Sequence, residues 1–312
     1  MRALAIALLS GLLLAACGSG DPEPPRNLLL LSIDTLRADA LGSHGSERGA
    51  SPFLDRWAER GVRFASAWSQ SPKTAPSHMT LLTGLAPRVH GVGNFETAGS
   101  ASLGPRATTL AEVLSAEGFA TGGFTDGGNA RGSLGFNRGF EHFVSSKPKT
   151  WESRTQQVRT WLTELDGRQP WFLFLHTYAI HDPYFPPPEV AARFVDPGYE
   201  GAIIGDRAAL EAAMEVEDLV PGMEGRMRLL GNYWGRVEME SAADMRYLHD
   251  LNLAGLADLD RKLERLFGWM EERGLLDDTL VVITSDHGEE FGEHGKLRHD
   301  QLWRELTHVP LL

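Results

Sequence analysis

The chain has 312 residues, of which 42% are hydrophobic and 23% are charged, and its formal net charge is −12 at pH 7. This length allows a large buried core, and the composition is that of an ordinary globular protein. The charge is spread along the chain without a basic block, which argues against a nucleic-acid partner. An anionic small substrate remains compatible, because a bound cation outweighs a negative overall field locally.

Residues 1–16 predict a signal peptide, because a short basic start is followed by an apolar run over residues 3–14. That run is shorter than the roughly 20 residues of a membrane-spanning helix. Its LAAC ending resembles the bacterial lipobox, so Cys17 is the predicted lipidation site and residues 17–26 a lipidated tether. The alternative is a plain signal peptide with an incidental cysteine. We therefore expect a lipid-anchored protein of the bacterial cell envelope, periplasmic or outer-membrane facing, with the membrane as partner through its lipid.

Three continuous apolar runs predict strands that are buried on both faces, as in a parallel sheet: Asn27 to Ile33, Trp171 to Leu175 and Thr279 to Ser285. Helical spacing of apolar residues lies between them, over Leu110 to Glu117 and Ala243 to Arg273. This alternation predicts an α/β fold with a mostly parallel sheet flanked by helices. The irregular residues 186–240 predict an insertion or lid.

Metal-capable residues follow each of these three strands. The first strand ends at Asp34, the second at His176 and the third at Asp286-His287. Ligands of open α/β sheets bind beyond the carboxyl ends of the strands, so these residues indicate a metal site. Asp34 taken alone is more typical of a turn or a helix cap.

Five segments in order resemble the sulfatase family of the alkaline phosphatase superfamily. Residues 33–39 (IDTLRAD) are similar to the family's opening strand and metal-binding aspartate, with Thr35 where many members have a second aspartate. Residues 74–84 (TAPSHMTLLTG) resemble the signature Cys/Ser-x-Pro-Ser-Arg-x-x-x-Leu-Thr-Gly. The others are residues 87–92 (PRVHGV), residues 176–184 (HTYAIHDPY) and the Asp-His-Gly segment that begins at Asp286.

The resemblance implies an alkaline-phosphatase-like catalytic domain over residues 27–312. In the family the last segment leads into a smaller C-terminal subdomain, which we expect to be missing here, so the chain is read as a fragment or a truncated product. The family's Gly-Lys-Trp-His segment is replaced near residues 124–126, so its anion-binding lysine is not assigned.

Thr74 stands where typical sulfatases carry a cysteine that is oxidised to formylglycine. Threonine does not give that aldehyde, and His78 replaces the arginine that supports it, so no formylglycine is expected. Thr74 is instead the expected nucleophile. Pro76 suits the first turn of a helix, which would place Thr74 at a helix N-terminus, where backbone N–H groups favour an anion.

The resemblance implies a metal set of Asp34, Asp286 and His287 with the Thr74 oxygen. Imidazole in this set favours one zinc or manganese ion, with calcium possible. His181 and His299 are the further catalytic candidates, for holding the anion or protonating the leaving oxygen. The candidates for substrate binding are His78 and Lys296. The alternatives are a helix role for His78 and a solvated loop position for the other three, and Asp244 and His249 are expected at the surface.

The leading hypothesis is a metal-dependent hydrolase that cleaves sulfate or phosphate esters of a small molecule or glycan through Thr74. One alternative is an envelope phospho-group transferase with a Thr74 intermediate, although such transferases usually carry several membrane spans. The other is a catalytically inactive sulfatase-like binding protein. Retained metal ligands count against that second alternative.

Overall fold

The computed structural model describes residues 25–94, 101–146 and 150–312. The predicted signal peptide, Cys17 and the predicted tether up to residue 24 therefore lie outside the described residues. Within the described part, no helix combines the length and the apolarity needed to cross a membrane.

The central sheet has five parallel strands in the order β4-β3-β5-β1-β6. These are β1 (Asn27–Ile33), β3 (Ala120–Thr125), β4 (His142–Ser145), β5 (Trp171–Thr177) and β6 (Thr279–Thr284). The three predicted strands are β5, β1 and β6, which are neighbours in the sheet. Leu31 of β1 pairs with Leu175 on one side and with Ile283 on the other. Their carboxyl ends therefore meet at one edge, and the predicted fold class is confirmed.

Helices cover both faces of this sheet. They are α1 (Pro52–Glu59), α2 (Thr74–Thr83), α3 (Pro87–His90), α4 (Leu110–Ala116), α5 (Trp151–Leu165), α6 (Pro188–Ala191), α7 (Arg207–Ala212), α8 (Gly222–Trp234), α9 (Ala242–Glu271) and α10 (Arg304–Thr307). Two small antiparallel pairs complete the fold: β2 (Ala67–Trp68) with β9 (His308–Val309), and β7 (Glu290–Phe291) with β8 (Leu297–Arg298).

Alternate residues of β1 supply two separate cores. Leu29 and Leu31 pack with the apolar stripe of α9, whereas Leu30 packs with Met79 and Leu82 of α2 on the other face. This is the two-sided burial expected of a central parallel strand. It also anchors α2 firmly against the sheet, which fixes the position of Thr74 at its first residue.

Helix α9 begins and ends close to the predicted bounds, but two of its polar residues are not at the surface. The prediction is wrong for Asp244, which is 3% exposed. Its carboxylate accepts hydrogen bonds from the Tyr199 hydroxyl, the Ser241 hydroxyl and the Glu238 amide. His249 is half-buried and stacks on Phe291 with ring centroids 4.8 Å apart. Tertiary contacts at the start of α9, which helical spacing does not reveal, explain both corrections.

The segment over residues 186–240 is packed rather than irregular. It carries α6, α7 and α8 and forms a third apolar cluster with Leu248 and Leu251 of α9. At its end, Trp234 Nε1 donates a hydrogen bond to Asp182 Oδ2 at 3.0 Å. The segment therefore touches the loop that follows β5. Its role as a lid stays a prediction.

Candidate active site

The carboxyl ends of β1 and β6 bring two aspartates and a histidine together. Asp34 Oδ1 lies 4.0 Å from His287 Nε2, and Asp286 Oδ2 lies 3.3 Å from the same nitrogen. All three side chains are buried. Thr35, at φ 61°, turns the chain after β1 and donates its backbone N–H to Asp286 Oδ1 at 3.3 Å. Sheet topology therefore assembles the predicted ligands.

Thr74 faces this group from the first residue of α2. Its Oγ1 lies 3.5 Å from His287 Nε2. Two contacts hold the start of the helix: the Ala75 N–H donates to Asn94 Oδ1 at 3.0 Å, and the Ser77 hydroxyl donates to the Asp286 carbonyl at 2.6 Å. The four predicted ligands, 34, 74, 286 and 287, therefore converge in space.

The donor set fits a divalent cation. Asp34, Asp286 and His287 each offer one ligand atom, and these atoms lie within 4.8 Å of one another. Asp34 Oδ1 and Asp286 Oδ2 are buried and have no hydrogen-bond partner. Burial raises the pKa of Asp34 to about 6, and burial together with the charge of Asp34 raises the pKa of Asp286 to about 8. A cation would supply the missing partner of both oxygens and offset both charges.

A second group, Asp34, His78 and His176, is equally compact but its nitrogens are already engaged. His78 Nε2 lies 2.8 Å from Ser32 Oγ, and its Nδ1 lies 2.9 Å from the Thr74 carbonyl. His176 Nε2 lies 3.1 Å from Asp34 Oδ2. Burial lowers the pKa of both histidines to about 4, so both rings are neutral. These two rings therefore hold the side chain of Asp34 and the first turn of α2 in place.

His78 was predicted to bind substrate, but in the structure it lies buried behind the metal-binding group. The ring has no exposed surface, and Nδ1 lies 3.3 Å from Asp286 Oδ2. It can hold the first turn of α2 and the Asp286 carboxylate in place, but it does not reach the open side of the site. Lys296 lies exposed in the turn between β7 and β8. Among the described hydrogen bonds and ion pairs, none connects Lys296 to the site.

His181 stands beside the carboxylates and carries its own acidic partner. Its Nε2 lies 4.0 Å from Asp34 Oδ1, and its Nδ1 lies 2.8 Å from Asp182 Oδ1. Burial opposes the charge on the ring, but Asp182, Asp34 and Glu289 together raise the pKa of His181 to about 10. His181 is therefore cationic near neutral pH, which suits a group that attracts an anion.

His299 is oriented by a buried carboxylate. Its Nδ1 lies 3.0 Å from Glu289 Oε1, and the other carboxylate oxygen accepts a hydrogen bond from the Tyr184 hydroxyl at 2.9 Å. The ring centroid of His299 lies 4.6 Å from that of His287 and 5.3 Å from that of His181. His299 and His181 thus form one wall of the site, and none of the hydrogen bonds among the described residues engages Nε2 of His299.

The sequence marked His176 as a metal-capable residue at a strand end, but gave it no role in the site. Three other residues that shape the site were missed: Tyr178, Asp182 and Glu289. Glu289 lies two residues after His287 and could have been suggested by that proximity. Tyr178 and Asp182 lie in the family-like segment over residues 176–184, but nothing in that segment singled them out, because their contacts depend on the shape of the loop after β5.

Gly288 is required by the close approach of another backbone segment. A Cβ at this position would lie 1.9 Å from the Glu305 carbonyl oxygen, and the Gly288 N–H donates to the Leu306 carbonyl at 2.8 Å. We expect Gly288→Ala to displace the neighbouring His287, to lower the free energy of unfolding by about 1–3 kcal/mol, and to weaken metal binding.

Denaturant unfolding and metal titration would measure both effects. Gly268→Ala is the matched control, because a Cβ there meets nothing within 4 Å and the residue lies within α9. That control should stabilise slightly, by about 0.4–1 kcal/mol. Unfolding curves for Gly288→Ala that match those of wild type would contradict the steric argument.

A five-stranded parallel sheet with helices on both faces, and buried carboxylates and imidazoles at its carboxyl edge, defines an α/β protein with a candidate metal site. The family model described as Sulfatase matches residues 26–312. The chain belongs to the sulfatase family.

Individual relatives agree with this assignment. The chain is similar to the multifunctional alkaline phosphatase superfamily protein PehA of Trinickia caryophylli, with 26% identity over 92% of this chain and 68% of the relative. It is also similar to an N-acetylglucosamine-6-O-sulfatase of Bacteroides thetaiotaomicron, with 23% identity over 97% of this chain and 66% of the relative. The phosphonate monoester hydrolase of Agrobacterium radiobacter shares the fold, with a TM-score of 0.69, 23% identity, and coverage of 92% of this chain and 67% of that one. The chain thus spans about two thirds of the length of these relatives.

Proposed function

We propose that the protein is a metal-dependent hydrolase of sulfate or phosphate esters that uses Thr74 as its nucleophile. The observation that carries the proposal is the position of Thr74 Oγ1, 3.5 Å from His287 Nε2. That nitrogen lies 4.0 and 3.3 Å from the two carboxylate oxygens that have no hydrogen-bond partner. A threonine hydroxyl must be activated, for example by a bound cation, because free threonine is a poor nucleophile near neutral pH.

Asp34, Asp286 and His287 would hold the cation, which lowers the pKa of a coordinated hydroxyl and offsets negative charge. A neutral imidazole in the set favours zinc or manganese over calcium. Burial lowers the pKa of His287 well below its ordinary value, so its ring is neutral and suited to coordination. Two of the three residues that would bind the metal, Asp34 and Asp286, thus have a buried oxygen without a hydrogen-bond partner.

The side chains around Thr74 divide the remaining work. The hydroxyl proton of Thr74 is lost to solvent, its oxygen bonds to the sulfur or phosphorus, and the ester oxygen leaves with a proton from His299 or His181. His181, held cationic by Asp182, attracts the anionic group. Water then attacks the intermediate on Thr74 and releases sulfate or phosphate. The same intermediate would serve a transferase if an acceptor hydroxyl took the place of water.

The function is tested with 4-nitrophenyl sulfate, 4-nitrophenyl phosphate and bis(4-nitrophenyl) phosphate, each with added zinc, manganese or calcium after removal of bound metal. We expect metal-dependent turnover of at least one ester, fastest with zinc or manganese. Absence of turnover with every pair of ester and metal would contradict the proposal. The retained carboxylates and imidazole favour this active enzyme over an inactive binding protein.

The proton donor can be identified from the dependence of the rate on the leaving group. If His299 protonates the ester oxygen, His299→Ala should slow phenyl esters by about 10²–10⁴-fold and 4-nitrophenyl esters much less, because 4-nitrophenolate leaves without protonation. His294→Ala is the control, since that histidine pairs with Glu305 and stacks on Trp303. An equal loss with both leaving groups would assign the proton to another residue, and the same comparison for His181→Ala would test the second candidate.

We further propose that the protein is anchored by lipid at Cys17 in the bacterial cell envelope, where sulfated or phosphorylated glycans and small molecules are accessible. The support is the sequence alone, with its single cysteine at the end of the apolar leader. Metabolic labelling with palmitate should mark the wild-type protein and not Cys17→Ser. Equal labelling of both proteins would exclude this anchor.

A further inference from the structure

We propose that Tyr178 is a catalytic residue whose phenol hydroxyl donates a hydrogen bond to the charge that develops on the sulfuryl or phosphoryl oxygens as Thr74 attacks. This inference rests on the proposed function and adds a residue to it. Tyr178 lies in the loop after β5, outside the segments that bind the metal.

Tyr178 lies at the wall of the site that carries His181. Its ring meets that of His181, whose Nε2 lies 4.0 Å from Asp34 Oδ1, and its hydroxyl group interacts with the Thr74 side chain. The backbone N–H of Asn129 donates to the same phenol oxygen at 3.2 Å. A phenol has one hydrogen to donate, and a donor already on its oxygen turns that hydrogen away from Asn129. The remaining direction includes the Thr74 side.

The ring is held rigidly between two histidines. Its centroid lies 4.6 Å from that of His176 and 5.1 Å from that of His181, with interplanar angles of 90° and 86°. Gly128 covers it closely, because a Cβ there would lie 3.0 Å from the phenol oxygen and from Cε2. The hydroxyl therefore has little freedom to turn away from Thr74, which is the preorganisation that makes a donor effective in a transition state.

The backbone of Tyr178 is fixed as well. The Tyr178 N–H and the Thr177 hydroxyl both donate to Asp126 Oδ2, at 2.9 and 3.0 Å. Asp126 in turn lies beside the buried Arg154, with Nε 3.6 Å from Oδ1. Asp126, which directly follows β3, thus fixes the backbone of Tyr178, which directly follows β5. None of these contacts involves a proposed metal ligand.

His78 leaves room for a further donor to the substrate. It replaces the arginine of the family signature, is fully buried, and has its ring nitrogens beside Ser32 Oγ and the Thr74 carbonyl. Because Tyr178 is partly exposed, it can touch a substrate as well as Thr74.

The experiment compares Tyr178→Phe with wild type in the metal-loaded protein, and Tyr247→Phe is the control. Tyr247 lies in α9, stacks on Tyr199 with ring centroids 3.8 Å apart, and packs against the third apolar cluster. We expect Tyr178→Phe to lower kcat roughly 100-fold on whichever ester is turned over, with the same loss for phenyl and 4-nitrophenyl leaving groups. Binding of inorganic tungstate, a tetrahedral oxyanion, measured by calorimetry should weaken roughly tenfold, and the metal content should not change.

The outcomes separate the two proposals. Wild-type activity that is lost in Thr74→Ala but unchanged in Tyr178→Phe overturns the role of Tyr178 alone. Absence of turnover in wild type contradicts the proposed function, and tungstate affinity then decides the role of Tyr178, because equal affinity in both proteins overturns it. A loss of kcat that is accompanied by a loss of bound metal also overturns it, since the residue would then be structural.

Discussion

Replacing Thr74 with alanine should lower turnover of sulfate or phosphate esters by about 10³-fold or more. The substitution removes the only atom of residue 74 that can form the covalent intermediate, while the helix that begins there keeps its packing through Met79 and Leu82. Metal binding should weaken modestly, because Asp34, Asp286 and His287 remain. Steady-state kinetics with the three nitrophenyl esters measures the loss.

Two further variants make the Thr74 result specific. Thr74→Ser keeps the hydroxyl and should retain most of the activity, whereas Thr80→Ala removes a hydroxyl from the same helix, one that donates to the Pro76 carbonyl at 3.0 Å. The second variant should leave kcat unchanged. Mass spectrometry of the peptide containing residue 74 should show unmodified threonine in the resting protein. Full activity in Thr74→Ala would remove Thr74 as nucleophile.

Much of the central sheet could be predicted from sequence because three neighbouring strands, β5, β1 and β6, are continuous apolar runs. Strand β3 was missed, since its sequence ATGGFT has little apolar character. The two glycines are demanded by packing: a Cβ at Gly122 would lie 2.7 Å from Trp161, and one at Gly123 would lie 2.6 Å from Phe143. The large side chains packed against β3 require glycine at two of its positions, so β3 lacks the apolar run that predicts a strand.

The proposed metal ligands could be predicted from sequence, but the hydrogen bonds that hold them in place could not. Thr74 and His287 are 213 positions apart, and only the order of the strands in the sheet brings them together. The resemblance to the sulfatase family implied that these segments meet, although the sequence does not show the order of the strands. The supporting contacts, such as that of His176 with Asp34 and that of Glu289 with His299, depend on side-chain directions in loops. Spacing along the chain does not encode these directions.

Removing the metal should make the stability of the protein fall as pH rises from about 4 to 8. Asp34 and Asp286 have pKa values of about 6 and about 8 in the folded chain, against an ordinary value of 3.8. The metal-free folded state therefore binds more protons than the unfolded state in this window, and its stability declines as the protons leave. A bound cation compensates the two carboxylates, so the metal-loaded protein should lack this decline.

Thermal melting at pH 5 and pH 8, with and without zinc or manganese, measures the difference. A metal at about 100 times its Kd adds about 2.7 kcal/mol, which raises Tm by several degrees, and the increase should be larger at pH 8. Asp286→Asn removes one buried charge and one ligand. Metal-free Asp286→Asn should therefore melt above metal-free wild type at pH 8, and yet gain little from added metal.

Comparing the metal-free with the metal-loaded protein tests whether the two carboxylates bind the cation. A residue that merely packs well would lower Tm when substituted, with or without metal, whereas a buried ligand destabilises the empty site and stabilises the filled one. Asp166→Asn is the control, because Asp166 is exposed and its left-handed φ of 51° suits asparagine. If Asp286→Asn lowers Tm equally with and without metal, as a packing defect would, Asp286 is not a ligand and the proposed centre is wrong.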